Sequence, residues 1–486
     1  MKYSLELTAF ACGAIIMILE LVGSRILAPY VGTSIVIWTS LIGVVLGSLS
    51  TGYWVGGLVA DRHPSKKVLS LVALLASVAV SLTALFADKI LHLLQENIKD
   101  IQSLALASTF LLFTPSSILL GMVSPYTVKL KVQNLGSSGI TVGQLYAIST
   151  VGSIFGTFLS GFYLIPLFGS RNILFVLSAC LAVISLILYF SAKRLAAATL
   201  LPLAFCILGI TQPTNAGIID IDTQYNRVRI FTDPDRNGRD RVLLQTELQS
   251  IQSAMYKDDP HDLALEYTKF FKLGKHLNPA MKDSLMIGGG AYSFPKFYLK
   301  NYPDARMDAV EIDSGLTSLA RDFFFLDQSD RLAIFHEDGR VFLNKSSKKY
   351  DAIFIDAFSS ISVPFHLTTK ETVGRLYNVL SDKGVVLVNL IGSVEGSHGR
   401  LIRAEYKTYK SAFPQVHIFP VYDPYYGRAV QNIILLAAKS DEIPDFNSED
   451  EEISRFLSHR WTRPIPDDVP ILTDDHAPVE QYVFSD

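Results

Sequence analysis

With 486 residues and 49% hydrophobic content, the chain is long enough for two or more domains, and its net charge of −3 conceals a division. Residues 1–213 carry 12 Lys/Arg against 6 Asp/Glu, whereas the remainder carries 31 against 40, the balance of an ordinary soluble domain. No basic patch or basic-aromatic interleaving points to nucleic acid, and Cys12, Cys180 and Cys206 all lie in apolar runs, with neither metal-ligand spacing nor a disulfide framework.

The N-terminal half reads as a multi-span α-helical membrane domain. Apolar runs of about 20 residues or more, enough to cross a bilayer, fall at 5–28, 35–59, 68–88, 103–124, 140–166 and 172–191, with a shorter seventh at 195–211. The first carries Glu20 and Arg25 and is followed directly by a second, so it is not a cleaved signal peptide. Those two charges fit either a substrate or proton pathway or a structural pair near a helix end. Gly43/Gly47 and Gly152/Gly156 have the spacing of tight helix packing. Loop cations Arg62, Lys66, Lys67, Lys129, Lys131, Lys193 and Arg194 put the N-terminus in the cytoplasm. Gly57 to Arg62 with Lys66-Lys67 resembles the cytoplasmic loop motif of major-facilitator transporters. If 195–211 spans, the C-terminal half lies outside the cell (inner) membrane; if it lies in the interface, that half is cytoplasmic, which Pro202 and the 17-residue length favour.

After Gln212-Pro213 the character changes. Alternating runs at 217–232 and 241–248 predict a small antiparallel β-unit, and a helix is predicted at 262–276, giving a segment 214–280. From 281 onward the pattern is that of a doubly wound α/β sheet, Rossmann-like in its alternation. Strands are predicted at 284–288, 306–312, 332–336, 351–356 and 384–390, with helices at 293–301, 314–325 and 369–381. An antiparallel pair at 415–421 and 431–438 closes the sheet, and 440–455 reads as an acidic surface stretch or linker.

Ligands of open α/β sheets sit beyond the carboxyl ends of the strands. The residues that fall there are Gly288, Gly289 and Gly290, Glu311, Glu337-Asp338 and Asp356. Three glycines let the backbone approach a ligand closely, and an acid about twenty residues on suits a ribose diol. The loop lacks the Lys-Ser/Thr of a phosphate cradle and the third-glycine spacing of a dinucleotide fingerprint. Acids fit a cationic nucleoside better than a pyrophosphate, and S-adenosylmethionine and its decarboxylated form are such ligands.

The series Tyr225-Asn226-Arg227, Gln249-Ser250 to Tyr256, Gly288-Gly289-Gly290, Val310-Glu311-Ile312-Asp313, Glu337-Asp338-Gly339-Arg340, Asp351 to Asp356 and Leu472-Thr473-Asp474-Asp475 resembles the spermidine synthases. Together with Glu20 to Arg25, Ala28-Pro29-Tyr30 and Gly52-Tyr53-Trp54, it resembles the bacterial proteins in which an aminopropyltransferase domain with a methyltransferase-like fold follows a multi-span membrane region. The resemblance implies that Glu311 holds the ribose hydroxyls, Asp338 with Gly339 the adenine, and Asp356 the proton or orientation of the attacking amine. The co-substrate would be S-adenosylmethionine or its decarboxylated form, with no permanently bound cofactor, no metal and methylthioadenosine as the released nucleoside. Gln249, Tyr292, His366, Tyr425 and Arg428 are further candidates for substrate contact, and a homodimer is an open alternative for assembly.

The departures bear on the reaction. Spermidine synthases follow the three glycines with an Asp that grips the aminopropyl amine, where this chain has Ala291-Tyr292-Ser293. The second acid of their Asp-Ser-Ser-Asp type loop is also missing from Asp356-Ala357-Phe358-Ser359-Ser360-Ile361. Three functions compete: a membrane-anchored aminopropyl transferase, an enzyme on the same pocket that cleaves S-adenosylmethionine or alkylates another acceptor, and a transporter or sensor that only binds ligand.

Overall fold

The structure is a computed structural model and describes residues 3–32, 34–98, 100–132, 138–189, 204, 217–247, 250–359 and 362–483. The chain divides into two units, Met1–Ala216 with Asp220–Arg227, and Gly217–Ile219 with Val228–Asp486.

Among the described residues, six helices of the first unit are long and apolar enough to cross a membrane. They are α1 (Ser4–Val31), α2 (Ile35–Arg62), α3 (Lys66–Asn97), α4 (Ile101–Lys131), α5 (Ser138–Leu159, continued by a π-turn at Ser160–Leu164) and α6 (Ser170–Leu188). Each contains most of an expected span, because the apolar run continues helically into its polar flanks. The run at 195–211 lies outside the described residues apart from Ala204. Small residues set the crossings: a Cβ at Gly152 or Gly156 of α5 would meet the backbone of Phe10 or Ala14 of α1. Gly52 and Gly56 of α2 do the same against Ile118 and Met122 of α4. The expectation for Gly43 and Gly47 is corrected, since both face open space and the next glycines along α2 make the contact. Hydroxyls join α3 to α6, with Ser70–Ser185 and Ser77–Ser178 oxygens 3.0 Å apart. Such pairs satisfy polar groups where water is scarce.

Among the described residues, the second unit is built on a seven-stranded sheet, and a four-stranded sheet precedes it in the chain. The small sheet runs in the order β1-β2-β3-β4: Ile219–Asp222, Arg227–Pro234, Asp240–Gln245 and Ser253–Tyr256. The large sheet contains β5 (Asp283–Ile287), β6 (Arg306–Val310), β7 (Leu332–Phe335), β8 (Tyr350–Ile355), β9 (Leu380–Gly392), β10 (Gln415–Pro420) and β11 (Gln431–Ala438). Its order is β10-β11-β9-β8-β5-β6-β7. β9 to β7 pair in parallel, and β11 lies antiparallel against β9 with β10 antiparallel beyond it. A parallel sheet is covered on both faces, which is why its strands read as continuous apolar runs. Ile353 and Ile355 of β8 enter one core with Val386 and Val388, while Ala352 and Phe354 enter the other with Phe271 and Phe294.

Three expectations are corrected here. The helix expected at 262–276 is broken into Glu266–Lys269, a 3₁₀ turn at Phe270–Lys272 and Leu273–Leu277. Phe270, Phe271 and Leu273 are all fully buried, and the tighter turn lets neighbouring rings reach one core. The stretch read as a linker contains the start of a helix, Glu451–Ser458, whose first turn is capped by Asp450 accepting from Glu452 and Ile453 N–H. Helices Gly339–Lys345 and Arg400–Lys410 were not anticipated at all.

Candidate active site

Parallel strands leave their carboxyl ends on one edge, so the residues after β5, β6, β7 and β8 converge there. After β5 the chain turns sharply: Gly288 has φ +92°, and a Cβ there would strike the Asp356 carbonyl. Only glycine combines that angle with that approach. The Glu311 carboxylate, at the end of β6, fastens the loop. Its Oε2 accepts from the N–H groups of Gly289 (2.8 Å) and Gly290 (3.0 Å), and its Oε1 from Asp313 N–H (3.0 Å). Burial raises its pKa against the opposing pull of these three bonds.

Asp338 follows β7 as the N-cap of Gly339–Lys345. Its Oδ1 accepts from Val341 N–H (3.0 Å), and its Oδ2 lies 2.9 Å from His366 Nε2. Gly339 leaves no room for a side chain, as a Cβ would sit 2.6 Å from Ile287. Arg340 bonds Asp474 (2.9 Å), which also accepts from Thr369 (2.6 Å). The tail motif is thus fastened to the sheet edge.

Asp356 ends β8 and has the most developed surroundings. Its Oδ2 accepts from the Tyr267 hydroxyl and its Oδ1 from the Asn389 amide, both at 2.9 Å. Asn389, on β9, in turn accepts from Asn432 of β11 at 3.0 Å, which fixes the amide's orientation. Burial pushes the Asp356 pKa up to about 6, with the Asn389 and Tyr267 bonds pulling the other way. Desolvation also holds Tyr267 well above the phenol range, so its proton stays in place as a donor. A small cavity of about 20 Å³, enough for about one water molecule, opens on Asp356, Tyr267, Gly289 and Met286.

Of the remaining sequence candidates, Gln249 lies outside the described residues, and Gln252 is the glutamine on the cavity. Tyr292 departs from its expected substrate contact: its ring is fully buried and its hydroxyl bonds Thr317 at 2.7 Å, so it serves the core. Tyr425 is 83% exposed, and Arg428 lies against Gly396; neither lines the cavity. Ala291 is buried among Val228, Ile230, Met255 and Leu316, so an acid at this position would enter an apolar cluster. Ser359 turns its hydroxyl to the Ser362 carbonyl (3.0 Å). Tyr267, Asn389 and Asn432 escaped the sequence reading, although Asn389 interrupts the apolar run Val385–Ile391 and that polar break was a usable signal.

Residues 267–446 match the family described as the spermine/spermidine synthase domain. The match lies wholly within the C-terminal unit. The chain is similar to the polyamine aminopropyltransferase of Vibrio vulnificus, 30% identical over 178 residues, 36% of this chain and 58% of that protein. The polyamine aminopropyltransferase of Chromobacterium violaceum is 34% identical over 142 residues, 29% of this chain and 54% of that protein. The chain thus spans a little over half the length of these curated relatives. Among solved structures, a probable spermidine synthase from Corynebacterium glutamicum aligns with a TM-score of 0.42 at 23% identity, covering 50% of this chain and 86% of that one. The matched segment begins at Tyr267 and therefore includes Asp356, Asn389, Tyr267 and Asn432.

Proposed function

We propose that this chain is a membrane-anchored transferase that takes S-adenosylmethionine or its decarboxylated form across the strand ends and releases methylthioadenosine. Glu311 faces the ribose and Asp338 the adenine. Asp356 is the base. A carboxylate offers about four lone-pair sites, and Glu311 commits three to backbone N–H groups, so the ribose takes the last or displaces one of them. The sulfonium makes its attached carbon electrophilic; an amine attacks it, the carbon–sulfur bond breaks, and its electron pair stays on sulfur. The amine's proton passes to Asp356.

The observation that carries this reading is the setting of Asp356: a strand-end carboxyl on a cavity, held by two donors, with a pKa near 6. A base poised near the working pH is efficient, and two fixed donors hold it in line with the reacting centre. The matches to polyamine aminopropyltransferases support the transferase class. Six apolar helices among the described residues support membrane anchoring; the loop cations place the N-terminus inside, and the domain is cytoplasmic if 195–211 does not span.

Calorimetric titration with both nucleosides tests the pocket. Binding that Glu311→Ala removes is expected; no heat with either nucleoside, or heat unchanged in the variant, would refute the assignment. Cleavage without an amine acceptor is a second reading, favoured by the burial of Ala291 in an apolar cluster. Mass identification of products with and without putrescine separates the two, and protease access in intact cells against inverted vesicles tests the side.

A further inference from the structure

The walls of the Asp356 cavity carry information about the acceptor. Gln252, Ser253, Thr268 and Ser293 supply neutral polar groups, and Leu265, Met286 and Phe294 supply apolar surface. Asp356 is the one carboxylate among the described lining residues.

Nearby acids are committed elsewhere. Glu266, beside Tyr267 in sequence, gives one oxygen to Lys269 (2.9 Å) and the other to Arg455 (2.8 Å). Glu311 is bound to the glycine loop and Asp313. A diamine with one nitrogen at Asp356 needs more room than the one-water cavity offers, and widening it brings the second ammonium against this neutral wall. A buried cation without a counter-charge is costly, whereas a hydrocarbon chain can lie on the apolar part of the wall at Leu265, Met286 and Phe294.

We infer that the acceptor is a primary amine with an uncharged tail rather than a diamine. This rests on the transferase reading above. The step balances: the amine nitrogen bonds to the sulfonium carbon, its proton goes to Asp356, and the thioether leaves neutral.

The test compares 1-aminobutane with putrescine, equal in carbon number, as acceptors for the full-length protein in detergent with each sulfonium nucleoside. Nucleoside binding is measured alongside by titration. The expected result is a kcat/KM for 1-aminobutane higher by about tenfold or more. A second variant adds the missing charge. Ser293→Asp puts a carboxylate on the cavity in the first turn of helix Ser293–Asn301, where the helix dipole favours an acid although the bond from the Ser293 hydroxyl to the Ala254 carbonyl (2.9 Å) is lost, and shifts preference toward putrescine. Preference for putrescine in the unmodified protein overturns the inference, as does a Ser293→Asp preference identical to the parent's. Intact nucleoside binding without any alkylated amine, or nucleoside release that needs no amine, overturns the acceptor assignment and leaves the pocket standing. Absence of nucleoside binding overturns both.

Discussion

Replacing Tyr267 with Phe removes one hydroxyl and almost no volume, so it deletes the 2.9 Å bond to Asp356 Oδ2 together with a long 3.5 Å contact to the Gln252 carbonyl. A hydrogen bond to a charged group contributes about 1.5–3 kcal/mol, and about 1.36 kcal/mol corresponds to one pH unit in a pKa. The bond favours the carboxylate, so its loss raises the Asp356 pKa from about 6 to about 7–8. A base works only when deprotonated, so the acid limb of the kcat/KM profile moves to higher pH by the same interval. At pH 6 the variant is slower by roughly five- to fiftyfold, and by pH 9 the two proteins converge. The assay is initial rate of methylthioadenosine release from pH 5 to 9. Convergence at high pH separates this effect from misfolding, which lowers activity at every pH. An acid limb that stays near pH 6 would refute the assignment of Asp356 as the titrating base.

Asp356→Asn keeps the shape and removes the base; methylthioadenosine release falls by roughly a hundred- to ten-thousandfold with nucleoside affinity retained in titration. Glu405, on helix Arg400–Lys410, is fully buried with neither carboxyl oxygen bonded, and burial raises its pKa far above the usual range. The unfolded chain therefore gives up this proton first as pH rises, and folded stability declines from about pH 4 upward by as much as ~1.4 kcal/mol per pH unit. Glu405→Gln abolishes that decline: the gap in thermal midpoint between the variant and the parent grows in the variant's favour from pH 4 to pH 8, and a constant gap would count against it. Gly152→Val drives a side chain into the Phe10 backbone and lowers the thermal midpoint in detergent, equivalent to about 1–3 kcal/mol, with Gly43→Val as the tolerated control.

Apolar runs made the sheet legible in advance, because parallel strands buried on both faces carry their signal locally. Helix Ser293–Asn301 and strand Gln431–Ala438 fall where the pattern puts them. Helix Arg400–Lys410 was invisible for the opposite reason: Arg403 and Glu405 occupy buried positions, so the expected apolar stripe is broken by charge. β4 is four residues long, too short for alternation to register. Within the site, strand ends announced the glycines and the three acids. Tyr267 and Asn389 are 89 and 33 residues from Asp356 and meet it only through the order β9-β8-β5 and the elements packed on it.

The clasp between Glu311 and the glycine loop has a kinetic meaning. The Gly289 and Gly290 N–H groups donate to the carboxylate where, on the proposed reading, ribose hydroxyls would donate, and the same bonds shape the loop. Ligand entry is then a change of bonding partner at a rigid seat, with little chain left to order. On the proposed reading, a nucleoside stripped of its ribose hydroxyls meets the same preformed loop but cannot make the exchange, so the two arrive at similar rates and differ in how long they stay.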